Sequence, residues 1–339
     1  MVAAIAPWNF PVSLAARKIA PALAAGNAVV FKPSPVTAGV GDRLAGVAAA
    51  AGLPADALPV VHGQDPGAMS ALLTDPRVRG VSFTGSDGVG ALIRAQAHGQ
   101  ARLQLELGGR NCAVVCADAD LERAAADIAT GAFGLTGQAC TSTDRVLVAR
   151  PVAAELMALL AERVRALAVG PGGDPATTTG PVATAAQFRR LGALRESAVD
   201  AGARVVASAG AVTGRNPDGF WVPPTLFTDV AADHPLLTDE VFGPFCTVLP
   251  VADLGEALSV LDASTHGLAT AVHTTDLAAA HRFAAAAPCG VVKINAPTTG
   301  NGVAPPFGGI RASSGGAFPE GGRQALDFVT DTRTVYLNP

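Results

Sequence analysis

Short apolar runs alternate with longer amphipathic stretches along the first hundred residues of the chain. The short runs are rich in Val, Phe and Leu and are bounded by Gly, Pro or Asn, as buried strands are, whereas the longer stretches repeat their apolar positions every three to four residues, as helices do. The predicted strands are 27–31, 58–62 and 78–84, and the predicted helices are 37–51, 65–73 and 89–97. This order predicts parallel strands in a doubly wound α/β domain, whose ligands bind beyond the carboxyl ends of the strands.

The same alternation continues after a strand at 103–109 that ends in two glycines. Further strands are predicted at 113–115, 145–148 and 204–208, and further helices at 120–133, 153–166 and 187–201. Residues 209–224 form a Gly- and Pro-rich excursion, after which strands and helices alternate again to about Asn295. The last segment, 328–337, alternates apolar and polar residues like an edge strand, and a neighbouring subunit is one candidate to pair with it.

Composition places most of the chain inside a folded structure. Of the 339 residues, 49% are hydrophobic and 15% are charged, against about 25% in an average protein, so intrinsic disorder is excluded. The net charge is −4 without a basic cluster, and we therefore expect no nucleic-acid partner. Charged residues and glycines interrupt every apolar stretch, and the first residues lack a basic start, so neither a membrane span nor a signal peptide is expected.

One of the five cysteines, Cys140, differs from the other four in its sequence context. There is no CxxC pair and no His at metal-ligand spacing, which favours free thiols in a reducing cytoplasm and no metal site. Cys112, Cys116, Cys246 and Cys289 lie in strand-like or apolar contexts, typical of small buried side chains. Cys140 instead follows a helix in the polar segment GLTGQACTST. This context fits a nucleophile and a structural residue equally well.

Four other motifs carry groups that could do chemistry. Glu106 in LELGG is either an exposed strand residue or, if buried, a general base with a raised pKa. Asn9 in APWNFP is a turn cap or an oxyanion-hole donor. Lys32 and Ser34 in VVFKPSP and the FTGSDGVG stretch from Phe83 suit a nucleotide, although the glycine spacing is a weak signal.

Taken together, these motifs resemble the aldehyde dehydrogenase superfamily along essentially the whole chain. The carrying motifs, in order, are APWNFP at 6–11, AGNAVVFKPS at 25–34, FTGS at 83–86, LELGG at 105–109, GQAC at 137–140, EVFGP at 240–244 and PFGG at 306–309. The resemblance implies oxidation of an aldehyde to a carboxylic acid. Cys140 would form a thioester, Asn9 with the Cys140 N–H would stabilise the oxyanion, and Glu106 would activate the hydrolytic water.

The resemblance also implies a nicotinamide cofactor, NAD or NADP. The residues implied in binding it are Trp8, Lys32, Ser34, Gly85, Ser86, Glu240 and Phe242. Phe307 would line the aldehyde tunnel. Many NAD-preferring relatives have a glutamate where this chain has Pro35, so no carboxylate would repel a 2′-phosphate there and NADP use is plausible.

The implied organisation is a partial NAD(P)-binding domain at 1–107, a catalytic domain at 108–312 and a return and oligomerisation segment at 313–339. A homodimer or homotetramer is expected. Family members carry a long portion before APWNFP, so we interpret the chain as a truncated or late-started form of a full enzyme. We expect residues 1–339 alone to be poorly soluble or inactive, because apolar faces would be uncovered.

The arrangement VKIN, PTTG and PFGG in the C-terminal part is similar to that of α-ketoglutarate semialdehyde (2,5-dioxopentanoate) dehydrogenases. Vanillin-like, succinate semialdehyde and aliphatic aldehydes remain alternatives, and Arg145 or Arg311 is a carboxylate-binding candidate with a structural alternative. A CoA-acylating semialdehyde dehydrogenase is a rival that Glu106 argues against, since that branch generally lacks the base. A non-catalytic assembly subunit is a second rival, opposed by the retained Cys140, Glu106 and Asn9.

Overall fold

A computed structural model describes residues 1–63, 65–210, 219–315 and 318–338. The strands are β1 (Val2–Ile5), β2 (Val29–Lys32), β3 (Gly80–Thr84), β4 (Arg102–Glu106), β5 (Asn111–Val115), β6 (Thr143–Ala149), β7 (Arg204–Ser208), β8 (Thr225–Thr228), β9 (Phe245–Val251), β10 (His266–Gly267), β11 (Ala269–His273), β12 (Val291–Ile294) and β13 (Ile310–Arg311). The helices are α1 (Ser13–Ala24), α2 (Ala38–Ala50), α3 (Pro66–Thr74), α4 (Asp87–Gln96), α5 (Leu121–Phe133), α6 (Ala153–Arg165), α7 (Ala185–Asp200), α8 (Pro235–Thr238), α9 (Leu254–Asp262), α10 (Leu277–Ala286) and α11 (Gln324–Val329).

The chain forms two compact units. Unit 1 contains Met1–Leu107 and Asn301–Pro339, and unit 2 contains Gly108–Gly300. Each unit is built around a largely parallel sheet flanked by helices, which confirms the predicted α/β fold class. The roles assigned to the domains from sequence stay predictions.

Unit 1 has a four-stranded parallel sheet in the order β2-β1-β3-β4. Side chains of β1 alternate between two apolar clusters: Val2 and Ala4 pack on one face, and Ala3 and Ile5 on the other. A strand buried on both faces needs a continuous apolar run, and the segment VAAI supplies it. The centre of this sheet is therefore covered by helices on both sides.

Unit 2 has a seven-stranded sheet in the order β12-β11-β5-β6-β9-β8-β7. Its strands are parallel except for the antiparallel pair β7 and β8. Helices α5 and α6 pack on one face, where Ile128 and Leu156 are fully buried, and α9 and α10 cover the other face through Leu261 and Phe283. The repeated strand and helix pattern of the sequence is thus confirmed in this unit as well.

Two predicted strands do not form within the chain, and the pairing of the last one with a neighbouring subunit stays a prediction. In 58–62 only Val60 forms a β-bridge, to Phe31, because Pro59 has no N–H to extend a ladder. In 328–337 the helix α11 ends at Val329 and residues 330–338 take no regular structure, since a strand needs a partner backbone and none pairs with them among the described residues. Of the predicted excursion at 209–224, residues 211–218 lie outside the described part.

Candidate active site

The predicted cofactor residues of unit 1 gather at one edge of its sheet. Strands β1, β2 and β3 end at Ile5, Lys32 and Thr84, and parallel strands have their carboxyl ends on the same side. The chain passes from β1 to β2 on one side and returns to β3 on the other, which makes the gap between β1 and β3 the topological switch point. Ligands of doubly wound sheets bind in this crevice. The residues brought to this edge are Trp8, Asn9, Lys32, Ser34, Gly85 and Ser86.

The groups at this edge fit a nucleotide cofactor. Burial lowers the pKa of the half-buried Lys32 ammonium, and this cation lies at the end of β2. The ten-residue helix α4 begins directly after Ser86, whose side chain does not cap it, and the N-terminus of a helix favours an anion. A Cβ on Gly85 would lie 2.4 Å from the Phe83 ring, so a larger residue here would displace that ring. Ser34 differs from the expectation in one respect, because its Oγ accepts the Val36 N–H at 3.3 Å.

Glu106 ends β4 and is 2% exposed, which decides between the two interpretations of this residue in favour of burial. Neither carboxyl oxygen has a hydrogen bond of normal geometry within the described residues. Burial raises the pKa of Glu106 well above its ordinary value, and the nearby Glu320 carboxylate raises it further. The Lys18 ammonium and the Gly309 N–H act in the opposite direction with smaller effect. A carboxyl in this state titrates closer to neutral pH than an exposed glutamate.

A buried polar cluster lies beside Glu106 in unit 1. Lys18 of α1 forms an ion pair with Glu320, and both side chains are almost fully buried. Thr84 donates its hydroxyl to Glu320 Oε1 at 3.1 Å, and the Lys18 ammonium donates to Ser82 Oγ at 3.3 Å. Every charge in the cluster thereby has a partner, as buried charges require.

Sequence reasoning missed both members of this ion pair. Lys18 carries a usable signal, because it shares the buried face of α1 with Leu14 and Ala22, four residues away on either side. A lysine on such a face requires a buried counter-charge. Glu320 carries no local signal, because it lies in a loop and meets Lys18 only through the fold.

Phe307, predicted to line the aldehyde tunnel, is buried in unit 1 and exchanges backbone hydrogen bonds with Glu320. The Arg17 guanidinium lies over its ring at 5.8 Å and donates to Gly302 O at 2.8 Å. Arg17 is not among the site residues predicted from the sequence. Of the two arginines predicted as carboxylate-binding candidates, Arg145 is buried in unit 2 and donates to Arg110 O at 2.8 Å, which favours the structural alternative for it.

In unit 2, Cys140 follows a segment of unusual backbone conformation. Helix α5 ends at Phe133, and Leu135, Thr136 and Gly137 then have φ values of 52°, 58° and 66°. Leu135 and Thr136 are strained in this left-handed conformation, whereas glycine is not, and such strain persists only where the surroundings enforce it. A Cβ on Gly137 would lie 2.0 Å from Gly243 O, so this position has no room for any other residue.

Side-chain contacts fix the same segment on both sides. Thr136 donates its hydroxyl to Gly180 O at 3.1 Å, and Gln138 Oε1 accepts the Ala183 N–H at 2.9 Å. The half-buried Cys140 lies in the turn that follows, which is closed by a hydrogen bond from Ser142 N to Ala139 O at 2.9 Å. The nucleophile candidate is therefore held by a fixed loop and not by a flexible one.

Glu240 and Phe242 lie in the same unit. Glu240 Oε1 accepts the Gly109 N–H at 3.0 Å, and Arg190 donates to the main-chain oxygen of Glu240 at 2.6 Å. Phe242 has a φ of 48° and is, like Leu135 and Thr136, a non-glycine residue in the left-handed region. Beneath them, Asp144 is buried, and both burial and the Glu240 carboxylate raise its pKa.

Two further observations concern the described residues as a set. None of their helices combines the length and apolar character needed to cross a membrane. No group of three or more His, Cys, Asp or Glu side chains among them is arranged to hold a metal ion.

The fold and these motifs define a class of protein. The aldehyde dehydrogenase family matches residues 1–335, and the chain belongs to that family.

Two curated relatives are similar along the chain. A 2,5-dioxopentanoate dehydrogenase of Saccharolobus solfataricus is 37% identical and an α-ketoglutarate semialdehyde dehydrogenase of Haloferax volcanii is 39% identical, each over 99% of this chain and 70% of its own length.

Two solved structures of related dehydrogenases are similar to this chain in fold. A Sinorhizobium meliloti protein solved with NAD, provisionally assigned as a methylmalonate-semialdehyde dehydrogenase, superposes with a TM-score of 0.94 at 33% identity over 98% of this chain and 68% of its own. A glyceraldehyde-3-phosphate dehydrogenase of Methanocaldococcus jannaschii solved with NADP gives 0.90 at 30% identity, over 97% and 71%.

Proposed function

We propose that this aldehyde dehydrogenase oxidises an aldehyde to a carboxylic acid through a thioester on Cys140 that is hydrolysed with Glu106 as base. The buried Glu106 carboxyl carries the proposal, because a raised pKa suits a group that takes a proton from water near neutral pH. The CoA-acylating alternative does not require such a base, and this disfavours it. A non-catalytic subunit would have no use for a buried carboxyl whose oxygens lack partners among the described residues.

In the proposed reaction, the Cys140 thiolate attacks the aldehyde carbon. The Asn9 side-chain amide and the Cys140 N–H stabilise the oxygen that becomes negative. NAD or NADP, when bound, supplies the hydride acceptor. After the hydride leaves, the acyl group stays on Cys140 Sγ, and Glu106 removes a proton from the water that attacks it.

The buried ion pair has a supporting role in this proposal. Glu320, held by Lys18 and Thr84, keeps a negative charge near Glu106 and so raises its affinity for a proton. Lys18 limits that effect. The balance leaves Glu106 able to accept a proton from water and to release it again, as a base in a repeated cycle must.

The proposed cofactor contacts follow the sheet edge of unit 1 and the Glu240 segment of unit 2. Lys32 and Ser34 would hold the adenosine ribose, Gly85 and Ser86 the pyrophosphate, and Trp8 would form a wall of the cleft. Glu240 would bind the nicotinamide ribose and Phe242 would pack near the ring. Pro35 adds no negative charge next to Ser34, which supports use of NADP beside NAD. The domain roles at 1–107, 108–312 and 313–339 belong to the same proposal.

The proposed substrate is a semialdehyde that carries a carboxylate, such as 2,5-dioxopentanoate. Arg17 supports this class, because its guanidinium lies beside Phe307 and its two bonds to Asn301 O and Gly302 O use one of its three nitrogens. A planar group with five donors suits a carboxylate. The relatives named for 2,5-dioxopentanoate and α-ketoglutarate semialdehyde point to the same chemistry.

We further propose a cytoplasmic homodimer or homotetramer. Val335, Tyr336 and Leu337 near the C-terminal end are 70%, 87% and 89% exposed, and a second copy would cover them. Light scattering on the purified protein tests this, and a monomer at micromolar concentration would contradict it.

The reaction is tested with Cys140→Ser and Glu106→Gln, measured as reduced cofactor formed on mixing with aldehyde. Cys140→Ser should form none while still binding the cofactor. Glu106→Gln should form about one equivalent rapidly and then stop, because the thioester no longer hydrolyses. Cys289→Ser, which changes another half-buried cysteine, is the control and should behave as the unmodified protein. Continued turnover in Cys140→Ser would remove the nucleophile assignment.

A further inference from the structure

A buried amide lies directly against the turn that carries Cys140. Asn111, the first residue of β5, is 2% exposed. Its Nδ2 donates to Cys140 O at 2.7 Å and to Ser142 O at 2.8 Å, and its Oδ1 accepts the Ala269 N–H at 3.0 Å. Because two carbonyls face the nitrogen and one N–H faces the oxygen, only one orientation of the carboxamide satisfies all three contacts.

These contacts fix the peptide planes on both sides of Cys140. The C=O and N–H of a trans peptide point in opposite directions. The Ala139 carbonyl is turned toward Ser142 N, so the Cys140 N–H points away from the closure of the turn. Asn111 holds the next carbonyl, that of Cys140 itself. The direction of the Cys140 Cα–Cβ bond and of the N–H proposed for the oxyanion is therefore set.

The backbone around Asn111 leaves no space for the Cys140 turn to adopt another conformation. A Cβ on Gly109 would lie 2.4 Å from Cys140 O and 2.8 Å from Asn111 Oδ1, so the backbone before β5 already presses on the same atoms. If the amide were lost, the two carbonyls would lose their donors in a buried place and the turn would shift. A small shift of a reacting group lowers rates strongly, on the order of 100-fold for about 1 Å.

We propose that Asn111 is a positioning residue for Cys140: its carboxamide fixes the carbonyls on the C-terminal side of the thiol and thereby the attacking direction of the nucleophile. The inference rests on the proposed role of Cys140. Asn111 does not itself contact the reacting atoms. Its effect is exerted through the turn.

A purely structural role would be to lock β5 against β11, and the chain offers a matched control for that role. Asn295 follows β12, and its Oδ1 accepts the Thr274 N–H at 3.0 Å while its Nδ2 donates to Thr274 O at 2.9 Å. Asn111 and Ala269 begin their strands, whereas Asn295 and Thr274 follow the ends of theirs. Since these strands are parallel, one amide lies at the amino ends of the strands and the other at their carboxyl ends, about 15 Å apart along a five-residue strand.

The test compares Asn111→Asp with Asn295→Asp. The introduced carboxylate has the shape of the amide but can only accept hydrogen bonds, so at position 111 it would face two carbonyls. Alkylation by iodoacetamide is followed on the Cys140 peptide by mass spectrometry across pH, together with kcat and KM for the aldehyde. We expect Asn111→Asp to raise the pH of half-maximal alkylation by about one unit, and kcat to fall on the order of 100-fold with KM changed less than about threefold.

The direction of the pH dependence separates positioning from general damage. When protonated, the introduced carboxyl regains one O–H donor, so kcat of Asn111→Asp per thiolate, relative to the unmodified protein, should rise as the pH falls. Each kcat is divided by the thiolate fraction from that protein's own alkylation profile, because the titration of the thiol differs between the two proteins. Asn295→Asp should leave alkylation and kcat within about twofold of the unmodified protein, even if it lowers thermal stability.

An unchanged alkylation profile and kcat in Asn111→Asp would overturn the proposal, and so would an equal loss in Asn295→Asp. If Asn111→Asp lacks a native near-ultraviolet circular dichroism spectrum, Asn111→Ala replaces it, because it removes both N–H donors without adding charge. The same fall in kcat at constant KM is then expected, and its absence refutes the proposal. If Cys140→Ser turns over, the proposed function fails, whereas a normal Asn111→Asp in a protein that requires Cys140 refutes only the positioning role.

Discussion

Two glutamates of the proposed site differ in how the chain surrounds them. Glu106 is buried, with no hydrogen bond of normal geometry to its oxygens in the described residues, and its pKa is raised. Glu240 is only partly buried and accepts the Gly109 N–H at 3.0 Å. The first environment favours proton transfer and the second favours binding hydroxyl groups. We therefore propose different tasks for these two identical side chains.

The substrate proposal predicts a charge-dependent effect of Arg17. In Arg17→Met, KM for 2,5-dioxopentanoate should rise about 10- to 100-fold, because a charge-assisted hydrogen bond contributes roughly 1.5–3 kcal/mol. KM for pentanal, a neutral aldehyde of the same length, should stay within about twofold. Steady-state kinetics with both aldehydes measures the difference. Arg195→Met, on an exposed part of α7, is the control. An equal rise for both aldehydes would contradict carboxylate recognition.

Between α5 and β6, a short left-handed segment determines where Cys140 lies. Strand and helix types were readable from sequence where the apolar period was clear, as in β3 and α5. The conformation of 135–137 was not, because nothing in the letters LTG requires three positive φ values. It follows from tertiary contacts, above all from the approach of Gly243 to Gly137.

Gly137→Ala should therefore disable the enzyme through the shape of this segment. A methyl group would lie 2.0 Å from Gly243 O, and alanine at a φ of 66° costs roughly 1–2 kcal/mol more than glycine. We expect kcat to fall on the order of 100-fold. Gly134→Ala is the matched control, since nothing lies within 4 Å of its Cβ position and its φ is −56°. Equal activity of the two variants in a turnover assay would contradict the role of the segment.

The stability of the molecule toward acid depends on buried groups that the reaction does not use. His273, at the end of β11, is 2% exposed, and burial followed by the charge of Arg123 lowers its pKa to about 4. The Asp127 carboxyl is 3.9 Å from Nδ1, beyond hydrogen-bond distance, and its own pKa is raised by burial. His273 is therefore neutral in the folded protein at neutral pH.

This lowered pKa predicts a loss of stability in acid. The unfolded chain binds a proton at an ordinary histidine pKa of about 6.5, so the free energy of unfolding should fall as the pH drops from about 6.5 to 4. Over this pH range the titration of His273 should lower the free energy of unfolding by about 3 kcal/mol. His273→Gln should flatten that part of the denaturant-derived stability profile, and His281→Gln, at an exposed position of α10, should not. Parallel profiles for the protein and His273→Gln would refute the assignment.

The sequence by itself predicts the order of the elements, the parallel sheets, the candidate nucleophile Cys140 and the sheet edge that suits a nucleotide. It does so because apolar period, turn residues and ordered motifs are local properties. The tertiary structure decided whether Glu106 is buried, joined Lys18 to Glu320, set Arg17 on Phe307 and placed the Asn111 amide under the Cys140 turn. It also left two predicted strands unformed within the chain, one because Pro59 has no N–H to extend the ladder and one because no described backbone pairs with it. Burial and long-range pairing depend on residues far apart in the chain, and no local pattern contains them.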